Sequence, residues 1–467
     1  MCRSPYFITE LTPFAGTDGP IHVSRSYKGA IDAEDDLIEA ARTIGLAEIQ
    51  DMQDFKSVGG CTRCYRYIGL DGKRQDAAHT YIHPLLQDGK HTNLYILLET
   101  KVTRVLFDEN KCAVGVEYVH NPPNPSATNP SDKLKVVTGT VKARKLVVVS
   151  SGAMGTPLIL ERSGIGNKAL LKKLSIPVVA DIPGVGEAYQ DHLALLYPFK
   201  TNLGVDATLD GILSGRLDFT KAVEENNPIL GWNSVDVACK IRPTEQEVKA
   251  LGPEFQKLWE KHFADVPSKP LFIILALNGF SGDQTLVAPG QYVTMAAVTC
   301  YPFSRGSIHI NTNNILKADG YNFDNGFLSD KGDCDMLAHL WMYKKLRDLY
   351  RRTYAYRGEL ELGHPKFTEV SKASLVNLEG KQSLVEQYGG RDKVPYLEYS
   401  AEDDKAIEVF IRQNLQSAWH SSGTCAMRSF EKGGVVDKDL NVYGVERLKI
   451  SGKCKLVVVM QKSHIFR

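Results

Sequence analysis

Hydrophobic and polar residues alternate along the chain at two different spacings, and these predict both helices and strands. Between Asp32 and Ile44 the apolar residues return every three or four positions and stop before Gly45, which is typical of one helical face. Two longer helices are predicted at Asp335 to Arg352 and at Glu402 to Gln416. Short apolar runs bounded by turn residues predict strands at Leu94 to Leu98, Val102 to Phe107, Ala113 to Val119, Gln291 to Cys300 and Ser307 to Asn311. The pattern indicates a mixed α/β chain.

One local pattern is more specific than the others. Leu146 to Val149 is a continuous apolar run, which favours a strand buried on both faces of a parallel sheet. Ser150 to Ala153 predicts a tight turn, and Thr156-Pro157 predicts the start of a helix that ends at Gly164. A strand, a small-residue turn and a helix N-terminus can together face an anion or a cofactor, although the same unit is also common without any such role.

Two glycine-rich segments follow. Gly164 to Ala169 has the Gly-x-Gly-x-x-Ala spacing of a dinucleotide-binding loop, but it follows a predicted helix instead of a strand, so we interpret it as a helix end. Ile182 to Gly186 predicts a second glycine turn, which Gln190-Asp191-His192 follow. The sequence therefore contains no properly placed dinucleotide fingerprint.

Composition and charge narrow the class of protein. The 467 residues are 43% hydrophobic and 24% charged, which is typical of a globular chain of two or three domains. A net charge of +1 argues against nucleic-acid binding. The longest apolar run, Leu271 to Leu277, is much shorter than the ~20 residues that span a membrane, and the start of the chain has no signal-peptide pattern. We expect a soluble protein with neither nucleic-acid nor membrane partners.

The nine cysteines show no repeated spacing, which favours reduced thiols over a disulfide framework. Cys61 and Cys64 have the C-x-x-C spacing of a thiol-redox or zinc site. Zinc would require a second pair or nearby histidines, and none follows closely in the sequence, so coincidence is favoured and no metal site is predicted.

The strongest chemical signal is the segment Trp419 to Met427. His420 has an ordinary pKa of about 6.5 and can accept a proton near neutral pH. Gly423 offers space for a flat ring, and Thr424 can donate a hydrogen bond. From residue type alone, however, an isolated histidine is more often a packed, hydrogen-bonded residue than a catalyst.

The segment Trp-His-Ser-Ser-Gly-Thr-Cys-Ala-Met resembles the flavin-contacting histidine motif of the glucose–methanol–choline oxidoreductases, and within that family the chain is similar to the fungal alcohol (methanol) oxidases. Other segments agree in order: Asp18 to Ser24, Gly72 to His79, Asn93 to Tyr95, Thr100 to Val102, Gly152 to Gly166, Pro183 to His192, Tyr301 to Ile310, Glu402 to Glu408 and Gly433 to Val445. The resemblance extends from about residue 18 to about residue 450.

The resemblance implies an α/β fold with an incomplete doubly wound FAD-binding domain and an α+β substrate domain that contains an antiparallel sheet. The FAD-binding domain would comprise residues 77–197 and 416–467. Residues 198–415 would form the substrate-binding domain, and residues 1–76 would supply a strand and connections to it.

The resemblance also implies a reaction. His420 would take the hydroxyl proton of a short-chain primary alcohol while hydride passes from carbon to flavin N5, and O2 would then yield H2O2. FAD is the implied cofactor. Val102 matches a residue whose backbone meets the adenine, and Ser151-Gly152-Ala153 and Trp419-His420 match segments close to the cofactor.

The chain departs from the family pattern at both ends. The amino-terminal glycine loop that should bind FAD is absent, and the match stops after Ile450, before the second catalytic histidine or asparagine. His464 has a comparable separation from His420, but its neighbours do not match. These departures leave a second interpretation open, which is a truncated, inactive chain that cannot hold FAD and associates at most with related subunits. A homo-oligomer, and a peroxisomal or cytoplasmic location, are also open.

Overall fold

The computed structural model describes residues 19–24, 29–69, 72–120, 137–314 and 320–455. The prolines between Asn121 and Asp132 predict an exposed loop between two strands, but this loop and the candidate His464 lie outside the described residues. The chain divides into two compact units. Unit 1 comprises Met1–Leu94, Leu193–Tyr301 and Cys334–Gln416, and unit 2 comprises Tyr95–His192, Pro302–Asp333 and Ser417–Arg467. The assignment of residues 77–197 and 416–467 to a cofactor domain stays a prediction.

Within the described residues, the strands are β1 (Ala47–Glu48), β2 (Gly60–Arg63), β3 (Thr100–Phe107), β4 (Ala113–His120), β5 (Thr138–Lys142), β6 (Val147–Val149), β7 (Ile165–Gly166), β8 (Ala180–Asp181), β9 (Leu193–Thr201), β10 (Val235–Ile241), β11 (Phe272–Leu277), β12 (Tyr292–Thr299), β13 (Ser307–Ile310), β14 (Tyr321–Asp324), β15 (Tyr356–Glu359), β16 (Gln416–Ser417) and β17 (Leu448–Ile450). The α-helices of the same residues are α1 (Ile31–Thr43), α2 (His83–Gln87), α3 (Gly152–Arg162), α4 (Lys168–Lys173), α5 (Asp210–Leu213), α6 (Phe219–Glu224), α7 (Glu245–Ala250), α8 (Pro253–Trp259), α9 (Cys334–Tyr350), α10 (Leu384–Tyr388) and α11 (Ala401–Asn414).

Unit 1 is built on a mainly antiparallel sheet with the strand order β1-β2-β10-β11-β12-β9-β15. Every residue of strand β12 is buried, and helix α9 packs against this strand. Helix α1 packs against β1, β2 and β10 through the buried residues Leu37, Ile38, Ala40 and Ala41. The mixed α/β class with an antiparallel sheet is therefore confirmed, as are the helices predicted near α1, α9 and α11.

A disulfide in this sheet corrects the cysteine prediction. Cys61 on β2 lies opposite Cys239 on β10, and the two are bonded although 178 residues separate them in sequence. Cys64 is free, so the C-x-x-C spacing marks no pair. The expectation of reduced thiols throughout was wrong for these two residues, because the pairing of strands brings together side chains whose spacing in sequence carries no signal.

Unit 2 contains the strand and helix that the apolar run at Leu146 predicts. Strand β6 pairs in parallel with β17, and helix α3 follows it directly. The antiparallel strands β3, β4 and β5 and the hairpin β13–β14 complete the described sheet structure of this unit, together with the short parallel pair β7–β8. The core of the unit is formed by buried apolar residues of β6, α3 and β17, among others.

Several predicted boundaries were wrong. Leu94 to Leu98 form no strand, and Tyr95 to Leu98 are exposed. Gly59-Gly60-Cys61 predicts a flexible loop, but Gly60 and Cys61 belong to strand β2. Helix α3 begins at Gly152, so Pro157 lies inside the helix instead of at its start. Val148 is 51% exposed, so β6 is not buried on both faces.

A buried carboxylate connects the hairpin β13–β14 to helix α3 in unit 2. The Glu161 side chain is fully buried and accepts hydrogen bonds from the Ile310 backbone N–H at 2.8 Å and from His309 Nδ1 at 2.7 Å. His309 Nε2 lies 3.2 Å from a Glu187 carboxylate oxygen. The hydrogen bonds to Glu161 and Glu187 raise the pKa of His309 from 6.5 to about 9.

This raised pKa predicts a pH-dependent contribution to stability. Because the folded chain binds the His309 proton more tightly than the unfolded chain, the contribution is complete below about pH 6.5 and is lost as the pH rises through about 9. We expect His309→Gln to lower the urea midpoint of unfolding more at pH 6 than at pH 9.5. The control is His79→Gln, because the His79 side chain is 64% exposed and is paired with Asp76. A loss that is equal at both pH values would contradict this assignment.

Candidate active site

The loop that carries His420 is exposed at the predicted catalytic residue. Trp419 is 83% exposed, and the His420 side chain is also exposed. The backbone of Trp419 has φ +58°, a left-handed conformation that non-glycine residues rarely adopt. A strained residue directly before the candidate base shows that the surrounding structure determines the position of this loop.

The carboxylate of Asp191 holds the His420 loop in place through hydrogen bonds. Its side chain is almost fully buried, and its Oδ1 accepts the backbone N–H of His420 at 2.9 Å. Its Oδ2 accepts hydrogen bonds from Ser417 Oγ at 2.6 Å, Tyr189 OH at 3.0 Å and Ser421 Oγ at 3.2 Å. One carboxylate therefore binds the loop both before and after His420.

Backbone pairing adds a second attachment. The N–H of Gln190 donates to the carbonyl of Ser422 at 3.1 Å, and the N–H of Ser422 donates back to the carbonyl of Gln190 at 2.9 Å. The N–H of Ala418 donates to the carbonyl of His192 at 2.9 Å. The segment 190–192 thus runs along the loop as a short ladder.

Two histidine rings meet at this ladder. His192 Nδ1 and His420 Nδ1 lie 3.0 Å apart, and the rings are arranged edge to face with their centroids 5.0 Å apart. Partial desolvation and the nearby Lys453 ammonium lower the pKa of His420, while Asp191 acts in the opposite direction. An imidazole whose pKa lies below 6.5 is mostly neutral at pH 7 and can accept a proton.

Gly423 and Thr424 stabilise the backbone of the loop through close packing and a hydrogen bond. A Cβ at Gly423 would lie 2.4 Å from the carbonyl oxygen of Ala188, and its φ is +89°, so close packing already requires glycine here. Thr424 Oγ1 is buried and donates to the carbonyl of Ala153 at 2.7 Å. That carbonyl lies four residues before Pro157, which has no N–H to donate, so Thr424 supplies the hydrogen bond that the proline removes from α3.

The predicted cofactor residues Ser151 to Ala153 lie at the N-terminus of α3. Ser151, the residue before the helix, makes no side-chain capping bond to the first-turn amides. Gly152 has φ +73°, and a Cβ there would meet nothing within 4 Å. First-turn amides that no side chain caps, next to a glycine with open space beside it, suit the polar groups and phosphates of a nucleotide cofactor. The residues present therefore fit FAD.

The structure joins two of the predicted site segments through one hydrogen bond. The hydrogen bond between Thr424 and Ala153 joins the segment Ser151 to Ala153 to the loop of Trp419 and His420. Val102 lies on β3, half-buried against the core of unit 2. The functional candidates that the sequence missed are Asp191 and His192. They follow the glycine turn at Ile182 to Gly186, and this position after a turn indicates no chemical role by itself.

Two absences apply to the described residues. No group of three or more histidine, cysteine, aspartate or glutamate side chains among them could hold a metal ion. No helix in these parts of the chain is long and apolar enough to cross a membrane.

Comparison with known families gives a direct match. A model of the GMC oxidoreductase N-terminal domain matches residues 6–194, and a model of the C-terminal domain matches residues 302–454. The alcohol oxidase of Pichia angusta is 33% identical over 478 residues, and the alignment covers 93% of this chain and 70% of that protein.

Solved structures agree on the fold. A formate oxidase has a TM-score of 0.72 at 19% identity, covering 94% of this chain and 69% of its own. An FAD-dependent oxidoreductase from Chaetomium thermophilum has a TM-score of 0.69 at 21% identity, and the match covers 96% of this chain and 71% of that one. The comparisons give no support to the interpretation of a truncated, inactive chain. The chain therefore belongs to the GMC oxidoreductase family, and its cofactor is FAD.

Proposed function

We propose that this protein oxidises a short-chain primary alcohol to the aldehyde and passes the electrons to O2, which becomes H2O2. The observation that carries the proposal is the exposed His420 imidazole, whose loop is bonded to the uncapped N-terminus of α3. The relative from Pichia angusta, named alcohol oxidase, supports the alcohol and O2 as substrates.

The side chains have separate tasks. His420 accepts the hydroxyl proton of the alcohol, which makes the carbinol carbon a better hydride donor. FAD, when bound, supplies the hydride acceptor and the route of the electrons to O2. Ser151, Gly152 and Ala153 would hold the cofactor together with Trp419, and the backbone of Val102 would contact its adenine part.

The protonation state of His420 supports this role. Its lowered pKa leaves the ring unprotonated at neutral pH, so the base needs no prior loss of a proton. Desolvation and Lys453 oppose protonation of the ring, Asp191 favours it, and the net effect on the pKa of His420 is a decrease.

The test uses the purified chain. We expect the absorption spectrum of bound oxidised flavin, and stoichiometric formation of H2O2 and aldehyde from methanol or ethanol in the presence of O2. A tertiary alcohol is the matched control, because it has no hydrogen on the carbinol carbon to transfer. A chain that carries FAD but forms no peroxide with any primary alcohol would refute the proposed function.

A further inference from the structure

The contact between His192 and His420 restricts which ring nitrogens of the two residues carry hydrogen. The two Nδ1 atoms are 3.0 Å apart, which is hydrogen-bond distance. A hydrogen bond between two imidazole nitrogens needs one N–H and one lone pair, so only one of the two Nδ1 atoms carries a hydrogen. The contact therefore couples the tautomers of the two rings.

The two possible arrangements differ in what they leave at the other end of His420. If His420 Nδ1–H donates to His192, then His420 Nε2 carries a lone pair and can accept a proton. If His192 donates instead, the neutral His420 carries its hydrogen on Nε2 and cannot act there as a base. The identity of the donor thus decides whether His420 is competent.

The arrangement is also held in place. His192 is half-buried, and its carbonyl accepts the backbone N–H of Ala418 at 2.9 Å. Its neighbour Asp191 accepts the backbone N–H of His420 at 2.9 Å. Each histidine therefore lies on a backbone that is bonded to the backbone or side chain of the other segment, which keeps the two residues side by side.

We propose that His192 is a positioning residue that accepts the Nδ1 hydrogen of His420 and thereby keeps Nε2 of His420 free to take the alcohol proton. This inference rests on the proposed function for the identity of the base. When His420 takes the proton on Nε2, its Nδ1–H bond to the neutral ring of His192 becomes charge-assisted and stabilises the imidazolium. The proton remains on His420, and no bond to His192 is broken.

Two substitutions separate this role from packing. His192→Phe keeps a flat ring but removes both nitrogens, whereas His192→Asn keeps a carbonyl oxygen close to the position of Nδ1 and can still accept the bond. His120→Phe is the control, since His120 is an exposed histidine of unit 2 whose neighbour is Glu99.

The first readout needs no turnover. In the chain labelled with 15N-histidine, the ring nitrogen shifts of His420, assigned with His420→Gln, report which nitrogen carries hydrogen. We expect Nδ1–H in the unmodified chain and in His192→Asn, and a shift toward Nε2–H in His192→Phe. An Nε2–H ring in the unmodified chain, or the same tautomer in all three chains, would overturn the proposal.

The second readout is kinetic, on the FAD-loaded chain. We expect His192→Phe to lower kcat about 10- to 100-fold with little change in KM, because the fraction of competent base falls while alcohol binding remains. His192→Asn should recover most of the loss, and the acidic limb of the pH profile should move to lower pH only in His192→Phe. An unchanged kcat in His192→Phe would refute the positioning role, whereas absence of peroxide in the unmodified chain would refute the proposed function instead.

Discussion

Replacing His420 with alanine is expected to slow reduction of the bound flavin by a primary alcohol at least ~100-fold, the usual scale for loss of a general base. The imidazole is exposed and its pKa is lowered, so it is available and neutral at pH 7. The carboxylate of Asp191 cannot replace it, because that group is almost fully buried and already accepts several hydrogen bonds. The measurement is anaerobic stopped-flow decay of the oxidised flavin absorbance after mixing with alcohol.

The matched control for this prediction is His120→Ala. His120 is an exposed histidine of the same unit, so His120→Ala makes the same chemical change as His420→Ala but outside the site. Flavin content has to be equal in both variants, since a loss of FAD would imitate a loss of rate. A His420→Ala chain that retains FAD and reduces it at the unmodified rate would exclude His420 as the base.

The motif around His420 could be recognised from sequence because its residues are contiguous. The geometry that makes it a site could not. The contact between His192 and His420 joins residues 228 positions apart, and Asp191 meets the backbone of His420 across 229 positions. Neither separation has a local signature, because hydrogen bonds between distant segments follow from the fold and not from spacing.

The start of helix α3 also depends on a contact between distant segments, which a local sequence pattern does not predict. Pro157 predicts a helix start, because proline suits the first turn and breaks a helix interior. The helix nevertheless begins at Gly152, and the carbonyl of Ala153 that Pro157 leaves without its usual partner accepts Thr424 Oγ1 instead. A donor 271 residues further along the chain thus overrides the local preference.

The largest effect on stability is expected in unit 1, at a buried ion pair. Arg347 on α9 and Glu359 on β15 have side chains that are 1% and 0% exposed, and Arg347 Nη2 lies 2.8 Å from Glu359 Oε1. Arg347 also donates to the carbonyl of Ala373 at 2.9 Å, and Glu359 Oε2 accepts the backbone N–H of Val376 at 3.1 Å. The pair therefore connects a helix, a strand and the segment that follows them.

Arg347→Met should lower the free energy of unfolding of this unit by about 3–5 kcal/mol, because it leaves the Glu359 carboxylate buried without its counter-charge. The double variant Arg347→Met with Glu359→Gln should be less destabilised than the single variant, since it removes the uncompensated charge. The exposed pair Lys372–Glu398, whose side chains are 74% and 72% exposed, is the control, and Lys372→Met should change stability by less than about 1 kcal/mol. Urea unfolding followed by far-UV circular dichroism measures all three. If the double variant were as unstable as the single one, the loss would come from the hydrogen bonds of Arg347 to the backbone and not from the buried charge, because Glu359→Gln removes the charge and keeps one carbonyl oxygen that can accept the Val376 N–H.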